Sequence, residues 1–228
     1  MNLDALHIRW IFYGVLVLVI SVAFHEFGHA IVAYKLGDDT PRRQGRVTLN
    51  PLAHIDLIGT LLLPFAAGVH AATSSGAIGG GGFGWGKPVQ HQPRNYTKRI
   101  SMGVGRILVS IAGPAMNIVL ALLLTIINTI LLSTHAIAYG GEAHELFAFA
   151  VQTNFILFFF NLLPIPPLDG GHIAEYFVPY RHRDTWDNIS KFGWFAILAI
   201  AMIPMLAQVF VVPARFCAIH LYQLFGIA

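Results

Sequence analysis

The sequence predicts an all-α polytopic membrane protein with about four transmembrane helices, a re-entrant segment at residues 52–72 and a short β-hairpin at the cytoplasmic face. Hydrophobic residues make up 56% of the 228 positions and charged residues only 11%, and the mean hydropathy is +0.65. Charged residues make up about 25% of an ordinary soluble domain, so this composition excludes that class. The apolar residues form long runs, and about 20 apolar residues in a helix cross the hydrocarbon core of a bilayer.

Four of these apolar runs predict the membrane-spanning helices. We expect them at residues 10–35, 104–132, 145–163 and 192–212. Pro164 follows the third run and is expected to end that helix, since proline lacks a backbone N–H and disfavours helix in the residue before it. Pro204 lies inside the fourth run and predicts a kink there.

Two segments between the first and second spans have a different pattern. Residues 37–51 begin with turn residues and continue with apolar and polar residues alternating at 46–49, which predicts a short hairpin or strand at the membrane face. Residues 52–72 are apolar but short, and Gly59 and Pro64 interrupt them. Whether this segment crosses the bilayer decides the topology.

The positions of lysine and arginine favour a segment that enters the membrane and returns. In that topology the loops at 35–50, 72–106 and 164–192 share one side and carry 12 of the 14 Lys and Arg residues. A full crossing would leave nine positive residues on one side and five on the other. Because positive residues gather on the cytoplasmic side, we expect these three loops to be cytoplasmic.

The first span contains the sequence His25-Glu26-Phe27-Gly28-His29. On a helix the two histidines are one turn apart, so both imidazoles project from one face and can bind one metal ion, with Glu26 beside them. This pattern is typical of zinc proteases, and ionisable residues inside a membrane usually mark a functional site. The alternative is a pair of hydrogen-bonded core histidines. With Cys217 as the only cysteine, a third ligand must be a histidine or a carboxylate.

Asp169 is the best candidate for the third ligand. It follows a helix end broken by prolines, and irregular backbone at membrane depth marks functional cavities. Only the four-span topology brings this end of the third span to the same side as His29. The alternative for Asp169 is an ordinary helix cap. Other candidate donors are His172, His54, Asp56, His70 and Glu175.

Two histidines and one carboxylate leave the fourth position of a single zinc ion open for water. Glu26 can then act as the general base and return the proton to the leaving amine. Asn117 and Asn161 each lie in a span beside a proline, and their amides are candidate donors to the developing oxyanion. Interhelical hydrogen bonding is the alternative for both asparagines.

The loop at residues 79–88 contains a near match to a phosphate-binding glycine loop. Pro88 stands where that motif needs the Ser or Thr that contacts magnesium, so we expect no nucleotide. A Trp- and Phe-bearing loop at the membrane interface is the better interpretation. The positive residues are scattered rather than clustered, so nucleic acid is not an expected partner.

Three motifs together resemble the site-2 protease family. They are the His25–His29 motif, Gly113-Pro114-Ala115-Met116-Asn117 in the second span, and Asn161-Leu-Leu-Pro-Ile-Pro-Pro-Leu-Asp169-Gly170 after the third. The resemblance covers nearly the whole chain, including residues 50–56 and the Gly-Trp-Gly-Lys-Pro loop. It indicates a compact prokaryotic member without PDZ or CBS domains, and a single domain over residues 1–228.

The resemblance implies a zinc-dependent endopeptidase that cleaves within or near transmembrane segments of other membrane proteins. His25, His29 and Asp169 would be the zinc ligands, Glu26 the base, and Asn117 and Asn161 polar supports near the scissile bond. The site would face the cytoplasmic side of the inner or cell membrane. The alternatives are a metal or ion transporter, against which the absence of an internal repeat argues, and a non-catalytic membrane-binding relative, against which the intact Glu26 argues.

Overall fold

A computed structural model describes residues 4–75 and 84–227, and in these ranges the regular structure is entirely helical. The helices are α1 (Ala5–Lys35), α2 (Thr40–Arg43), α3 (Leu63–Ser75), α4 (Met102–Ser133), α5 (Glu142–Asn161), α6 (Asp169–Phe177), α7 (Arg183–Ser190), α8 (Gly193–Met202) and α9 (Pro204–Leu224). A π-helical turn, Leu57–Leu62, continues directly into α3. The prediction of an all-helical protein is therefore confirmed for the described residues.

Side-chain caps and special backbone conformations define the ends of the two longest helices. Asp4 caps α1 by accepting a hydrogen bond from the backbone N–H of His7, and Gly37, with φ of +106°, follows its last turn. A residue with a Cβ rarely adopts this left-handed conformation, so glycine suits the helix end. Ser101 caps α4 by accepting from the N–H of Val104 at 3.2 Å.

Helix α4 lies at the centre of the fold and packs antiparallel to α1. The side-chain amide of Asn117 donates to the carbonyl of Ser21, whereas Val109, earlier in α4, packs with Ala33 near the end of α1. On its other side α4 packs against α5, and α5 against α9, around a buried cluster of Ala121, Val151, Phe155 and Ala214.

Five described segments are long and apolar enough to cross a membrane. They are Ala5–Lys35, Leu57–Ser74, Met102–Ser133, Glu142–Asn161 and Met205–Leu224. Their number and composition identify an integral membrane protein, in agreement with the predicted class.

The predicted last span, residues 192–212, is wrong in its bounds. Helix α8 ends at Met202, Ile203 is extended with φ of −100° and ψ of 105°, and α9 begins at Pro204 and runs to Leu224. Pro204 separates two helices here instead of kinking one, because it cannot donate a hydrogen bond and it disfavours helical conformation in the residue before it.

The predicted β-hairpin is also wrong, because residues 37–51 form helix α2 and turns without a strand. Asp38 accepts hydrogen bonds from both the backbone N–H and the hydroxyl of Thr40, and Pro41 has the fixed φ that suits the first turn of a helix. The alternation at 46–49 does not pair with another segment. Arg46 is instead buried and donates to the carbonyls of Ala53 and Lys87.

The residues that precede α3 lie beside residues that follow α3 in the chain. The N–H of Trp85 donates to the carbonyl of Gly59 at 3.1 Å, and that of Lys87 to the carbonyl of His54 at 2.9 Å. Further along, the side chains of Gln44 and Gln90 are joined by a hydrogen bond of 3.0 Å. Residues 85–90 therefore lie beside residues that precede α3 in the chain. Half of the predicted glycine loop, residues 79–83, lies outside the described residues.

Candidate metal centre and active site

Helix α1 presents His25 and His29 on one face, as their spacing predicts. Both residues are buried, and their Nε2 atoms lie 3.0 Å apart. Helix α6 brings in the third group at its first residue, Asp169. One carboxylate oxygen lies 3.1 Å from Nε2 of His25 and the other 3.4 Å from Nε2 of His29. Potential ligand atoms from these three residues all lie within 4.8 Å of one another.

Asp169 does not have the capping role that was its alternative. Leu168 occupies the cap position of α6, and no side-chain cap is formed there. Of the other candidate donors, His172 lines the same cavity as Asp169 and the two histidines, whereas His54 and Asp56 have different surroundings. His54 bonds to the carbonyl of Thr48, and Asp56 caps the π-helical turn. Among the described residues, His25, His29 and Asp169 form the group that could hold a metal ion.

The Nδ1 atoms of both histidines contact hydrogen-bond acceptors. Nδ1 of His25 lies 2.7 Å from Oδ1 of Asn117, and Nδ1 of His29 lies 2.7 Å from the carbonyl of Val109. Each imidazole therefore donates its Nδ1–H and directs the Nε2 lone pair toward the other histidine and Asp169. Lone pairs 3.0 Å apart repel one another unless a cation lies between them. Two imidazoles and a carboxylate are a donor set that suits zinc.

Gly113 in α4 provides the space for this cluster. A Cβ at this position would overlap Nε2 of His29 and would lie 2.7 Å from Nε2 of His25. The glycine therefore lets the α4 backbone pass directly beside the Nε2 atoms of both histidines. Gly28 has the complementary role in α1, since a Cβ there would overlap the carbonyl of Ala112. The two helices can approach this closely only with glycine at both positions.

Glu26 lines the same cavity as the three candidate ligands. The cavity has a volume of about 310 Å³. Oε2 of Glu26 accepts a hydrogen bond from the backbone N–H of Val89 at 3.0 Å, which holds the carboxylate in a defined orientation. The loop that carries Val89 also contributes Trp85, whose ring makes an edge-to-face contact of 5.6 Å with Trp194 of α8.

The structure places the two candidate asparagines differently. Asn161 lines the cavity, and its amide nitrogen donates to the carbonyl of Leu157 at 2.9 Å. Asn117 is fully buried behind His25, where its amide bonds to His25, Ser21 and Asn154. Asn117 therefore contacts a candidate ligand and lies outside the cavity lining.

Buried hydrogen bonds anchor the loop beside Glu26. The carboxylate of Asp38 accepts from the backbone N–H of Gln92, the amide of Asn95 and both donors of Thr40. Burial alone would raise the pKa of Asp38, but these hydrogen bonds outweigh it and hold the pKa below its usual value. Nearby, burial lowers the pKa of His91, which also lines the cavity.

Sequence reasoning missed the backbone N–H of Val89, the aromatic contact with Trp194, and Asn154. No sequence signal marks a backbone donor in an irregular loop. Asn154, in contrast, is an asparagine inside an apolar span, and intramembrane asparagines commonly bond across helices. That signal was present in the residues of the third span.

Comparison with known proteins agrees with this geometry. The sequence profile of peptidase family M50 matches residues 13–144 and 129–204. "Putative zinc metalloprotease YwhC" of Bacillus subtilis is 38% identical over 197 residues, which cover 85% of this chain and 81% of that protein. "Putative zinc metalloprotease Rip2" of Mycolicibacterium smegmatis is 34% identical over 208 residues, 87% of this chain and 72% of that protein. No solved structure matches the chain.

Proposed function

Because the chain belongs to peptidase family M50, the site-2 proteases, and is therefore a zinc metalloendopeptidase, we propose that it cleaves peptide bonds in or near transmembrane segments of other membrane proteins. The observation that carries this proposal is the convergence of His25, His29, Asp169 and Glu26 on one cavity between apolar helices. A site built on spanning helices is suited to a substrate that lies in the bilayer. We propose that residues 1–228 act as one domain.

His25 and His29 would hold one zinc ion through their Nε2 atoms, and Asp169 would hold it through its carboxylate. Zinc, when bound, lowers the pKa of a water molecule toward neutrality and polarises the carbonyl of the scissile bond. The hydrogen bonds from Nδ1 of each histidine support this assignment, since they fix the tautomer that leaves Nε2 free for a metal.

Glu26 would act as the general base. Its carboxylate takes the proton of the attacking water and then delivers it to the nitrogen of the leaving amine. The N–H of Val89 engages one carboxylate oxygen, Oε2, and so orients the other for proton transfer. The position of this base therefore depends on the loop that Asp38 anchors.

We assign different roles to the two asparagines. Asn161 lies in the cavity lining and would donate from its amide to the oxyanion that develops on the substrate. Its present bond to Leu157 would have to be shared or exchanged for this purpose. Asn117 would act through His25, whose Nδ1–H it accepts, because it lies behind that histidine rather than in the cavity.

We further propose that the α3 segment is re-entrant and that the active site faces the cytoplasmic side of the cell membrane. The hydrogen bonds of Trp85 and Lys87 to the start of this segment support entry and return at one end of the molecule. That end carries 12 of the 14 Lys and Arg residues when the loops at 35–50, 72–106 and 164–192 are counted together.

The proposed function is tested by substituting the base. Purified protein in detergent would be given a panel of single transmembrane segments, each placed between two soluble tags, and fragments would be sized by mass spectrometry. We expect wild type to cleave a subset of the segments. Glu26→Gln should lower the cleavage rate by at least about 100-fold while zinc content stays at one per chain.

Glu142→Gln is the matched control. This glutamate pairs with Arg9 at the opposite end of α1, so the same chemical change there should leave cleavage at the wild-type rate. Equal cleavage by wild type and Glu26→Gln would overturn the proposed mechanism. Bound zinc in a wild-type protein that cleaves none of the segments would favour a binding or transport role instead.

A further inference from the structure

Asn154 is a fully buried asparagine in the middle of α5, and it belongs to none of the motifs in the sequence. Its Oδ1 accepts a hydrogen bond from the amide nitrogen of Asn117 at 3.0 Å. Its own amide nitrogen donates to the carbonyl of Ala150, one turn earlier in the same helix, at 2.9 Å. A buried amide in a membrane helix is costly unless its donors and acceptors are satisfied, and these bonds do so.

These contacts form a chain of hydrogen bonds that has only one allowed direction. A backbone carbonyl can only accept, so the bond to Ala150 directs the nitrogen of Asn154 toward α5 and its oxygen toward Asn117. Asn117 must then direct its nitrogen toward Asn154 and toward the carbonyl of Ser21, 3.2 Å away. The oxygen of Asn117 is left facing Nδ1 of His25 at 2.7 Å.

We propose that Asn154 is a positioning residue for the metal centre and acts through Asn117 on His25. By holding the amide of Asn117 in one orientation, Asn154 keeps the proton of His25 on Nδ1 and the lone pair of Nε2 directed at the metal. The inference rests on the proposed function, in which His25 is a zinc ligand. The opposite amide orientation would place a donor against Nδ1 and favour the tautomer that cannot bind metal through Nε2.

The two histidines differ in a way that explains why only His25 needs this support. Nδ1 of His29 bonds directly to the carbonyl of Val109, which the helix backbone holds in place. The partner of His25 is a side-chain amide, which can rotate by half a turn and exchange its oxygen for its nitrogen. Two acceptors, the carbonyl of Ser21 and Oδ1 of Asn154, hold the nitrogen of that amide and oppose the rotation.

A purely structural role would make Asn154 a hydrogen-bonded link between α4 and α5. Asn128 provides the matched comparison for that role, because it is also fully buried in the membrane helices. Its amide bonds to His144 and to the hydroxyl of Tyr222, near the other end of α4 from the metal centre. Losing either asparagine removes an interhelical link, but only the loss of Asn154 should affect zinc.

The test measures zinc affinity of the full-length protein in detergent by competition with a chromophoric chelator. We expect Asn154→Leu to bind zinc about tenfold more weakly than wild type, the lower end of the range for partners of metal ligands. Asn128→Leu should bind zinc as wild type does. The absorption bands of the cobalt-substituted protein should shift in Asn154→Leu and stay unchanged in Asn128→Leu, since they report ligand geometry.

Asn154→Asp is the rescue variant. A protonated aspartate keeps an oxygen that accepts from Asn117 and gains a hydroxyl that donates to Ala150, so zinc affinity should be close to that of wild type. If Asn154→Leu does not fold, Asn154→Ala removes the same amide with less added bulk and takes its place. Thermal unfolding in detergent identifies the folded variants.

A double substitution tests whether Asn154 acts through Asn117. The pair Asn117→Leu and Asn154→Leu should bind zinc no more weakly than Asn117→Leu alone, because the chain is already broken. Wild-type zinc affinity and cobalt bands in folded Asn154→Leu or Asn154→Ala would overturn the inference, as would additive losses. Full zinc binding by His25→Ala would instead overturn the proposed ligand set, so the two failures are distinguishable.

Discussion

A methyl group at position 113 should remove zinc from the protein without unfolding it. In Gly113→Ala the new Cβ would overlap Nε2 of His29 and lie 2.7 Å from Nε2 of His25. Ordinary contact begins at about 3.4 Å, so His25 must withdraw by at least about 0.7 Å. Zinc–nitrogen bonds of about 2.0–2.1 Å tolerate deviations of only about 0.2 Å. Neither histidine can then keep its ligand geometry.

The same substitution has two opposing effects on the stability of the folded protein. Alanine is a better helix former than glycine by about 1 kcal/mol, whereas overpacking costs about 1–3 kcal/mol. The net loss is therefore no more than about 2 kcal/mol, and the protein should remain folded. A displacement on the order of 1 Å at a reacting centre costs about 100-fold in rate, so cleavage should fall at least that far.

Two assays test this prediction. Zinc content is measured after dialysis by inductively coupled plasma mass spectrometry, and cleavage is measured on the segment panel. Gly14→Ala is the matched control in α1, because its Cβ would meet only Cζ of Phe149 at an ordinary 3.8 Å. This control should keep one zinc per chain and the wild-type rate. Wild-type zinc affinity in Gly113→Ala would refute the close passage of α4 behind the two histidines.

Three other predictions address the ligand set, the topology and the anchored loop. Asp169→Ala should weaken zinc binding by more than the roughly 10- to 100-fold that partners of ligands contribute, and full zinc occupancy would point to another third ligand. Cysteines at Gln44 and Gln90, with Cys217 replaced by serine, should form a disulfide on oxidation, which a bilayer between the two positions would prevent. Because folding lowers the pKa of Asp38, its carboxylate stabilises the folded protein at pH values above 3.8, the pKa in the unfolded chain. This stabilisation is lost as the pH falls through the lower pKa of the folded protein. The unfolding temperature of wild type should therefore fall more steeply from about pH 5 to pH 3 than that of Asp38→Asn.

The sequence was sufficient for features that depend on local spacing or on charge counts. The interval between His25 and His29 predicts a shared helix face, and the distribution of Lys and Arg brings Asp169 to the same end of the molecule. The β-hairpin failed because a four-residue alternation at 46–49 is weaker than the turn that Asp38 and Pro41 impose. Local pattern alone did not show that Arg46 is buried.

Features that depend on the relative orientation of packed helices could not be predicted from the sequence. Asn117 occurs in a recognisable motif, but only the packing of α4 on α1 places it behind His25 rather than in the cavity. The same packing explains why Gly113 is needed, since the space it leaves is occupied by imidazoles from another helix. The periodicity of apolar residues along the sequence predicts which face of a helix is buried, but not which other helix packs against that face.

The position of Glu26, the proposed base, depends on a loop that is distant from it in the sequence. Glu26 lies on α1, but the N–H that orients its carboxylate comes from Val89, which follows the α3 segment in the chain. Asp38 holds this loop by accepting hydrogen bonds from Gln92 and Asn95, three and six residues beyond Val89. A change that loosens this anchor should therefore disturb proton transfer at Glu26 while the proposed zinc ligands, which are held by α1, α4 and α6, keep their places. Loss of cleavage with retained zinc is thus the expected result of a defect in the loop, and it differs from the loss of zinc expected at Gly113 or Asp169.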